Sequence, residues 1–248
     1  MRLRELKEEV LEANLDLARY RLVTLTWGNV SGILRDEGLV VIKPSGVDYD
    51  KLRVADLVVL NLEGKVVEGA KRPSSDTPTH LELYRAFKTI GGVAHTHSTY
   101  ATSFAQACRE IRCYGTTHAD AFYGSVPVTR FLTKEEVAGG YELNTGRLII
   151  ERFRGLDPDS LPAVLLAGHA PFTWGSDPRH AVLNSLMLER VAKMAIFTEG
   201  LHPGLEAIPD HILQKHHERK HGPDAYYGQP APKGEGRQKN QPGKRRKN

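Results

Sequence analysis

The stretch GGVAHTHSTYATS, Gly91 to Ser103, constrains the fold more than any other part of the chain. A short apolar run, Val93 and Ala94, follows a glycine pair and ends in His95 and His97. Residues i and i+2 of a β-strand point to the same face. A strand through GGVAHTH therefore aims two imidazoles together at its end. Either they hold a metal, or they are ordinary polar residues at the mouth of a sheet.

Helical and extended patterns alternate around that stretch. Residues 3–20 place Leu3, Leu6, Val10, Ala13 and Leu17 on one helical face. LVVIKPSG (39–46) and LVVLNL (57–62) are predicted strands. TPTHLELYRAFKTI (77–90) is a predicted helix with Asp76 as N-cap and Pro78 near its start. YATSFAQACRE (100–110) is a second. VPVTRF (126–131) and PAVLLAGHAPFTWG (162–175) are extended, the latter as two strands joined at Gly168–Pro171. LIIERF (148–153) fits strand or helix. Residues 177–200 form the clearest helix, capped by Ser176 or Asp177, with Pro178 in its first turn and Gly200 after its end. Residues 209–222 make a short, polar-faced helix. No G-x-G-x-x-G follows a strand and no G-x-x-x-x-G-K-[ST] occurs, which disfavours a dinucleotide fold and a P-loop ATPase. The helices are not spaced as regular βαβ crossovers. A single α/β domain with a mixed or antiparallel central sheet is expected.

The composition, 40% apolar and 26% charged, is that of a soluble protein. No run approaches the ~18–20 apolar residues of a membrane span. The N-terminal MRLRELKEEVLEANLDLARYRL lacks the apolar core and cleavage site of a signal peptide, so a cytoplasmic protein is expected. Cys108 and Cys113 are not a C-x-x-C pair and read as packed free thiols. The formal charge of +4 is misleading. The segment 229–248, QPAPKGEGRQKNQPGKRRKN, carries +6 by itself and leaves about −2 on the remainder. It has no apolar residue larger than alanine or proline, so a disordered basic tail is expected after a domain at 1–228. Its KRRK could meet nucleic acid electrostatically, but a solvated tail is the expected reading and no nucleic-acid partner is assigned.

Further candidates join the histidine pair. His169, in VLLAGHAPFTWG, follows an apolar run at another strand end. Three neutral imidazoles leave an open position on a zinc-like divalent ion. Asp76 is a possible fourth, oxygen ligand, or a plain helix N-cap. TWGNVSG offers Gly28, Asn29 and Ser31, and IKPSGVD offers Lys43, Ser45 and Gly46. Ser74 and Ser75 precede a helix start, where free N–H groups and the dipole favour phosphate. Each stretch alone reads as a turn; together with a lysine they suit a small phosphorylated ligand. His118 and Asp120, in GTTHADAFYG, are candidate proton carriers, although Asp120 also fits a turn cap. Tyr226 and Tyr227, in AYYG, either transfer protons or anchor the chain end by burying a ring.

TWGNVS, KPSGVDY, KRPSSDTPTH, GGVAHTHS, GTTHADAFYG, HAPFTWG and KHGPDAYYGQ occur in this order. In these motifs, over residues 3–229, the chain resembles the epimerase branch of the class II aldolase/adducin family. The resemblance implies an α/β/α domain around a mainly antiparallel sheet, a C4 homotetramer and a divalent metal, usually zinc. It implies His95, His97 and His169 as metal ligands with Asp76 beside them. It implies phosphate binding by Asn29, Ser45, Gly46, Ser74 and Ser75 with Lys43 nearby. Asp120 and Tyr227 fall on the family's acid/base pair, the tyrosine reaching in from a neighbouring subunit. Related aldolases carry a glutamate base where this chain has Asp76. Leu166, Ala167 and Ala170 depart from more polar or glycine residues around the third histidine, and the tail runs past the usual YYGQ end.

The activity implied is interconversion of L-ribulose 5-phosphate and D-xylulose 5-phosphate. The C4 hydrogen of a 2-ketose lies β to the carbonyl and is not acidified by it. Cleaving C3–C4, turning glycolaldehyde phosphate and re-adding it is easier, with Lewis-acid help for the enediolate charge. Two proton carriers are then needed, one for each epimer. The rivals are a family aldolase that releases both fragments, a non-catalytic adducin-like interaction domain, and a nucleic-acid binder using the tail.

Overall fold

The computed structural model describes residues 2–222 and 225–226. Tyr227, the segment 229–248 and the expected boundary between 228 and 229 lie outside the described residues. The strands are β1 (Asn29–Leu34), β2 (Leu39–Ile42), β3 (Val58–Asn61), β4 (Val66–Glu68), β5 (Gly92–His95), β6 (Ala163–Leu165) and β7 (Pro171–Gly175). They form one 7-stranded sheet in the order β4-β3-β2-β1-β5-β7-β6. Every neighbouring pair is antiparallel. The helices are α1 (Leu3–Arg19), α2 (Thr77–Ala86), α3 (Thr99–Gln106), α4 (Thr116–Ala119), α5 (Lys134–Ala138), α6 (Tyr141–Arg152), α7 (Pro178–Leu201) and α8 (Asp210–His221).

Alternation along the central strands explains the layering. On one face, Val30 and Ala94 pack in a cluster with Ala13, Leu17, Ala181 and Val182. There Thr173 Oγ1 meets the Ala181 carbonyl and Ser185 Oγ. Gly32 and Gly92 let the helices approach closely. A Cβ on Gly32 would come within 2.7 Å of Leu6, and one on Gly92 within 2.4 Å of the Asp177 backbone. On the other face, Ile33, Val93, Phe172 and Trp174 join Leu81, Tyr84, Phe87, Ile149 and Phe153. Helices on both faces of an antiparallel sheet give the α/β/α architecture that the resemblance implies. Leu6, Val10 and Leu17 of α1 are wholly buried, each contributing about 2 kcal/mol.

Several boundaries moved for identifiable reasons. TWGNVSG is a turn only as far as Gly28; Asn29 already begins the central strand β1. VPVTRF forms isolated bridges, Val126 to Ile111 and Val128 to Leu165, rather than a full strand. Pro127 between them has no N–H to continue a ladder. α2 stops at Ala86, short of residue 90, because Arg35 takes over its end. The guanidinium donates to the carbonyls of Tyr84, Phe87 and Ile90 at 2.6–3.2 Å. LIIERF resolves as the last part of α6. α7 is capped by Asp177, whose side chain accepts from His180 N, and it runs past Gly200 to Leu201. Both cysteines are free, yet only Cys113 is packed; Cys108 is exposed. No helix among the described residues is long and apolar enough to cross a membrane.

Candidate active site

A cavity of about 500 Å³ opens at the C-terminal end of β5. Three histidines converge on it, with ring centroids 4.9, 5.0 and 5.0 Å apart. His95 is the last residue of β5, and its ring stacks on Phe172 of β7 at 4.2 Å. Its Nδ1 lies 2.9 Å from the Pro171 carbonyl. That contact requires an N–H at Nδ1 and leaves the Nε2 lone pair for the cavity. His97 does not lie on the strand. β5 ends at His95, and His97 reaches the cluster from the loop before α3. The two rings do come together, but not because both sit on one face of the strand. His169 comes from the β6–β7 turn, where Gly168 takes the left-handed φ of +70°. The Tyr141 hydroxyl lies 3.3 Å from His169 Nδ1.

One potential ligand atom from each ring falls within 4.8 Å of the other two, a grouping able to hold a divalent metal. The electrostatics fit the donor set. Burial, then the neighbouring imidazoles, push His97 and His169 down to about 4, so both are neutral lone-pair donors at pH 7. Asp76 lines the same cavity, but its carboxylate is not in the convergent group. It occupies the N-cap position of α2 as expected, but its side chain makes no cap hydrogen bond. Its Oδ2 accepts from Asn29 Nδ2 at 2.7 Å. Burial would raise its pKa, but His95, His80, the Asn29 hydrogen bond and His169 outweigh burial and hold it below the usual carboxylate value.

The opposite rim carries the candidate phosphate groups. Pro44 and Pro73 form an antiparallel bridge flanked by Ser45 N to Arg72 O and Ser74 N to Lys43 O, both 3.0 Å. This bridge sets Ser45 and Gly46 beside Ser74 and Ser75 at the start of α2, with all four lining the cavity. The Tyr49 hydroxyl spans the carbonyls of Trp27 and Gly28 at 2.8 and 2.9 Å and fixes the preceding turn. Gly28 is required there: its φ is +76°, and a Cβ would sit 2.8 Å from the His95 carbonyl. Asn29 Nδ2 also donates to Ser74 Oγ, so this side chain ties the serine rim to Asp76. Lys43 is 1% exposed, 3.3 Å from the Thr26 carbonyl and 4.8 Å above the Tyr49 ring. Burial lowers its ammonium to about 8. Tyr141 and Glu142 also line the cavity. No motif pointed to them, because they enter only through the packing of α6.

Asp120 is not in this cavity. It shares another with Thr89, Ile90, Gly175 and Ser176, at the N-terminal end of β5. Arg219 Nε donates to its Oδ1 at 3.0 Å, His216 Nδ1 lies 3.2 Å away, and Lys220 pairs at 3.6 Å. Burial alone would raise its pKa, but these partners hold it below the ordinary carboxylate value. His118, the other proton-transfer candidate of that motif, is buried, with Nε2 2.8 Å from the Gly124 carbonyl and its ring against Phe122. It belongs to the core. Tyr226 is exposed and therefore anchors nothing by burial; Tyr227 lies outside the described residues.

An antiparallel α/β/α fold with a three-imidazole group facing a hydroxyl- and lysine-lined rim defines a class: metal-dependent enzymes acting on small phosphorylated ligands. Residues 8–196 match the family described as Class II Aldolase and Adducin N-terminal domain, and the chain belongs to that family. It is 55% identical over 227 residues to L-ribulose-5-phosphate 4-epimerase UlaF of Salmonella paratyphi A, covering 92% of this chain and 100% of that one. The protein of the same name from Salmonella typhi matches to the same extent. Among solved structures, an L-fuculose 1-phosphate aldolase superposes with a TM-score of 0.75 at 27% identity, covering 88% of this chain and 97% of that one.

Proposed function

We propose that this chain is an L-ribulose-5-phosphate 4-epimerase, interconverting L-ribulose 5-phosphate and D-xylulose 5-phosphate by C3–C4 cleavage and re-addition. One observation carries the reading: a single cavity joins the His95–His97–His169 group to the rim of Lys43, Ser45, Gly46, Ser74 and Ser75. The 55% identity to epimerases, against 27% to the aldolase structure, supports it over fragment release. The three histidines would hold a divalent ion, zinc in our reading, with Asp76 beside them. A bound ion of that kind supplies Lewis-acid stabilisation of the negative charge that bond cleavage leaves on the ketose oxygens. The serine rim, Gly46, Lys43 and the start of α2 anchor the phosphate, so the cleaved aldehyde stays in place while it turns. Asn29 orients this rim through Ser74.

Asp120, kept ionised by Arg219 and His216, is a proton acceptor at neutral pH. Tyr227 is its counterpart for the other epimer. Asp120 lies toward the opposite end of β5 from the histidines, so the proposal includes a second copy of the chain that delivers both proton carriers. A C4 homotetramer in the cytoplasm meets this requirement. The aldolase reading is favoured by the superposition with the L-fuculose 1-phosphate aldolase. Incubation with L-ribulose 5-phosphate separates the two. D-Xylulose 5-phosphate, with metal found in the same sample, is the expected outcome; accumulation of free aldehyde and ketone supports the aldolase. Full activity after chelation, with no metal retained, overturns the histidine site.

A further inference from the structure

His80 stands in the first turn of α2 and is wholly buried. Its Nδ1 is 2.7 Å from Ser31 Oγ, which is 2.8 Å from the Tyr84 hydroxyl. Ser31 and Tyr84 are also wholly buried. His80 Nε2 is buried and has no hydrogen-bond partner among the described residues. Leaving such a group unmet costs about 1–3 kcal/mol, so its presence in a core of leucine and phenylalanine needs a reason.

The hydrogens along the chain assign the tautomer. Ser31 has one hydroxyl hydrogen for two neighbours. The phenol is the better donor of the two hydroxyls, so Tyr84 donates to Ser31 and Ser31 donates to Nδ1. Burial keeps the imidazole neutral, with its pKa near 3. The single ring proton is then on Nε2, which makes it an unused donor. On its own helical face the nearest acidic side chain is Asp76, four residues earlier at the N-cap position of α2; Glu82, two residues on, faces another way and pairs with Arg85. Asn29 occupies Oδ2 of that carboxylate, and no donor to Oδ1 occurs among the described residues. The His80 ring also meets Phe172 edge-on at 5.8 Å, and Phe172 is the ring on which His95 stacks.

We propose that His80 is a positioning residue whose Nε2–H holds the second carboxylate oxygen of Asp76, so that the buried Tyr84–Ser31–His80 chain orients Asp76 at the edge of the histidine cluster. In this structure Asp76 rests on Asn29; the proposed bond closes as the carboxylate takes its working orientation. The consequence for metal retention rests on the metal-site reading given above, whereas the tautomer and the bond do not. Nitrogen NMR of the full chain with labelled histidines, with and without zinc, tests both. The expected result is an Nε2-protonated His80 whose N–H resonance moves in Asp76→Asn. An Nδ1-protonated ring, or a resonance indifferent to that substitution, overturns the proposal.

A second readout separates positioning from folding. His80→Leu is expected to lose metal on dialysis about tenfold more readily and to lower kcat similarly, with KM within about twofold. His80→Gln, whose amide nitrogen falls near Nε2, is expected to recover most of both. Equal defects in Leu and Gln variants, or wild-type behaviour of the Leu variant, count against the proposal. If the Leu variant does not fold, the wild-type and Asp76→Asn spectra decide alone. An unmutated protein inactive on pentulose phosphates sinks the epimerase reading and leaves the His80 resonance as the test of this one.

Discussion

At the C-terminal end of β5, His95 shares a cavity with side chains from β1, the loop after β2, the loop leading into α2, α6 and the β6–β7 turn. Toward the N-terminal end, Asp120 shares a cavity with Ile90 and Gly175 and is saturated by cations from α8. The first end presents neutral lone pairs; the second presents a carboxylate fixed in its charged form. One chain therefore assembles a candidate binding half and a candidate proton-transfer half, and keeps them apart. If both serve one reaction, the working unit is larger than the chain.

The largest expected effect tests the first half. His97→Ala should lose bound metal and lower kcat by about 10³-fold or more, checked by metal analysis and the epimerase assay. A variant that keeps both makes the cluster a structural feature. Next, Asp120→Asn should lower kcat about 10²-fold or more in both directions. Mixing it with the inactive His97 variant, after dissociation and reassembly, should restore roughly a quarter of the sites in a cyclic oligomer. No recovery in a mixture shown to contain hybrids would place Asp120 and the histidines in one subunit's chemistry or in none.

The phosphate rim responds on a smaller scale. Lys43→Met should raise KM about 10- to 100-fold, the worth of a charged hydrogen bond. Because burial lowers the Lys43 ammonium from its ordinary 10.5 to about 8, it is charged below that pH and neutral above it. Binding of a phosphate dianion favours the charged form, so KM should rise as pH climbs from about 8 toward 10.5. The slope should vanish in Lys43→Met, and its persistence there would assign the dependence elsewhere. Smallest is Tyr49→Phe, which removes the clamp on the 27–28 carbonyls. A loss of about 1 kcal/mol in denaturant unfolding and a few-fold rise in KM are expected; an unchanged KM would separate that turn from phosphate binding.

Long periodic segments were readable without coordinates. α1, α7 and α8 fell close to their expected spans because caps and apolar spacing are local signals. β1 was missed as a strand because Ser31 and Gly32 carry no β-branched signal; their burial comes from Tyr84 and His80 on one face and α1 on the other. The end of α2 was misplaced because Arg35, remote in sequence, supplies its cap.

The same division holds for the site. His95, His97, His169 and the Lys43–Gly46 and Ser74–Asp76 stretches were visible as residue types at suggestive spacings, because strand ends and helix starts leave local marks. Their meeting in one cavity was decided by the antiparallel pairing of β5 with β1 and β7 and by the Pro44–Pro73 bridge. The bond from Asn29 to Asp76, the buried partners of His80 and the cationic grip on Asp120 join residues 47 to 99 positions apart. Local sequence determines which side chains can do chemistry and which backbone can carry them. Only tertiary packing decides which of them are desolvated together, because burial and charge proximity are properties of the assembled layers.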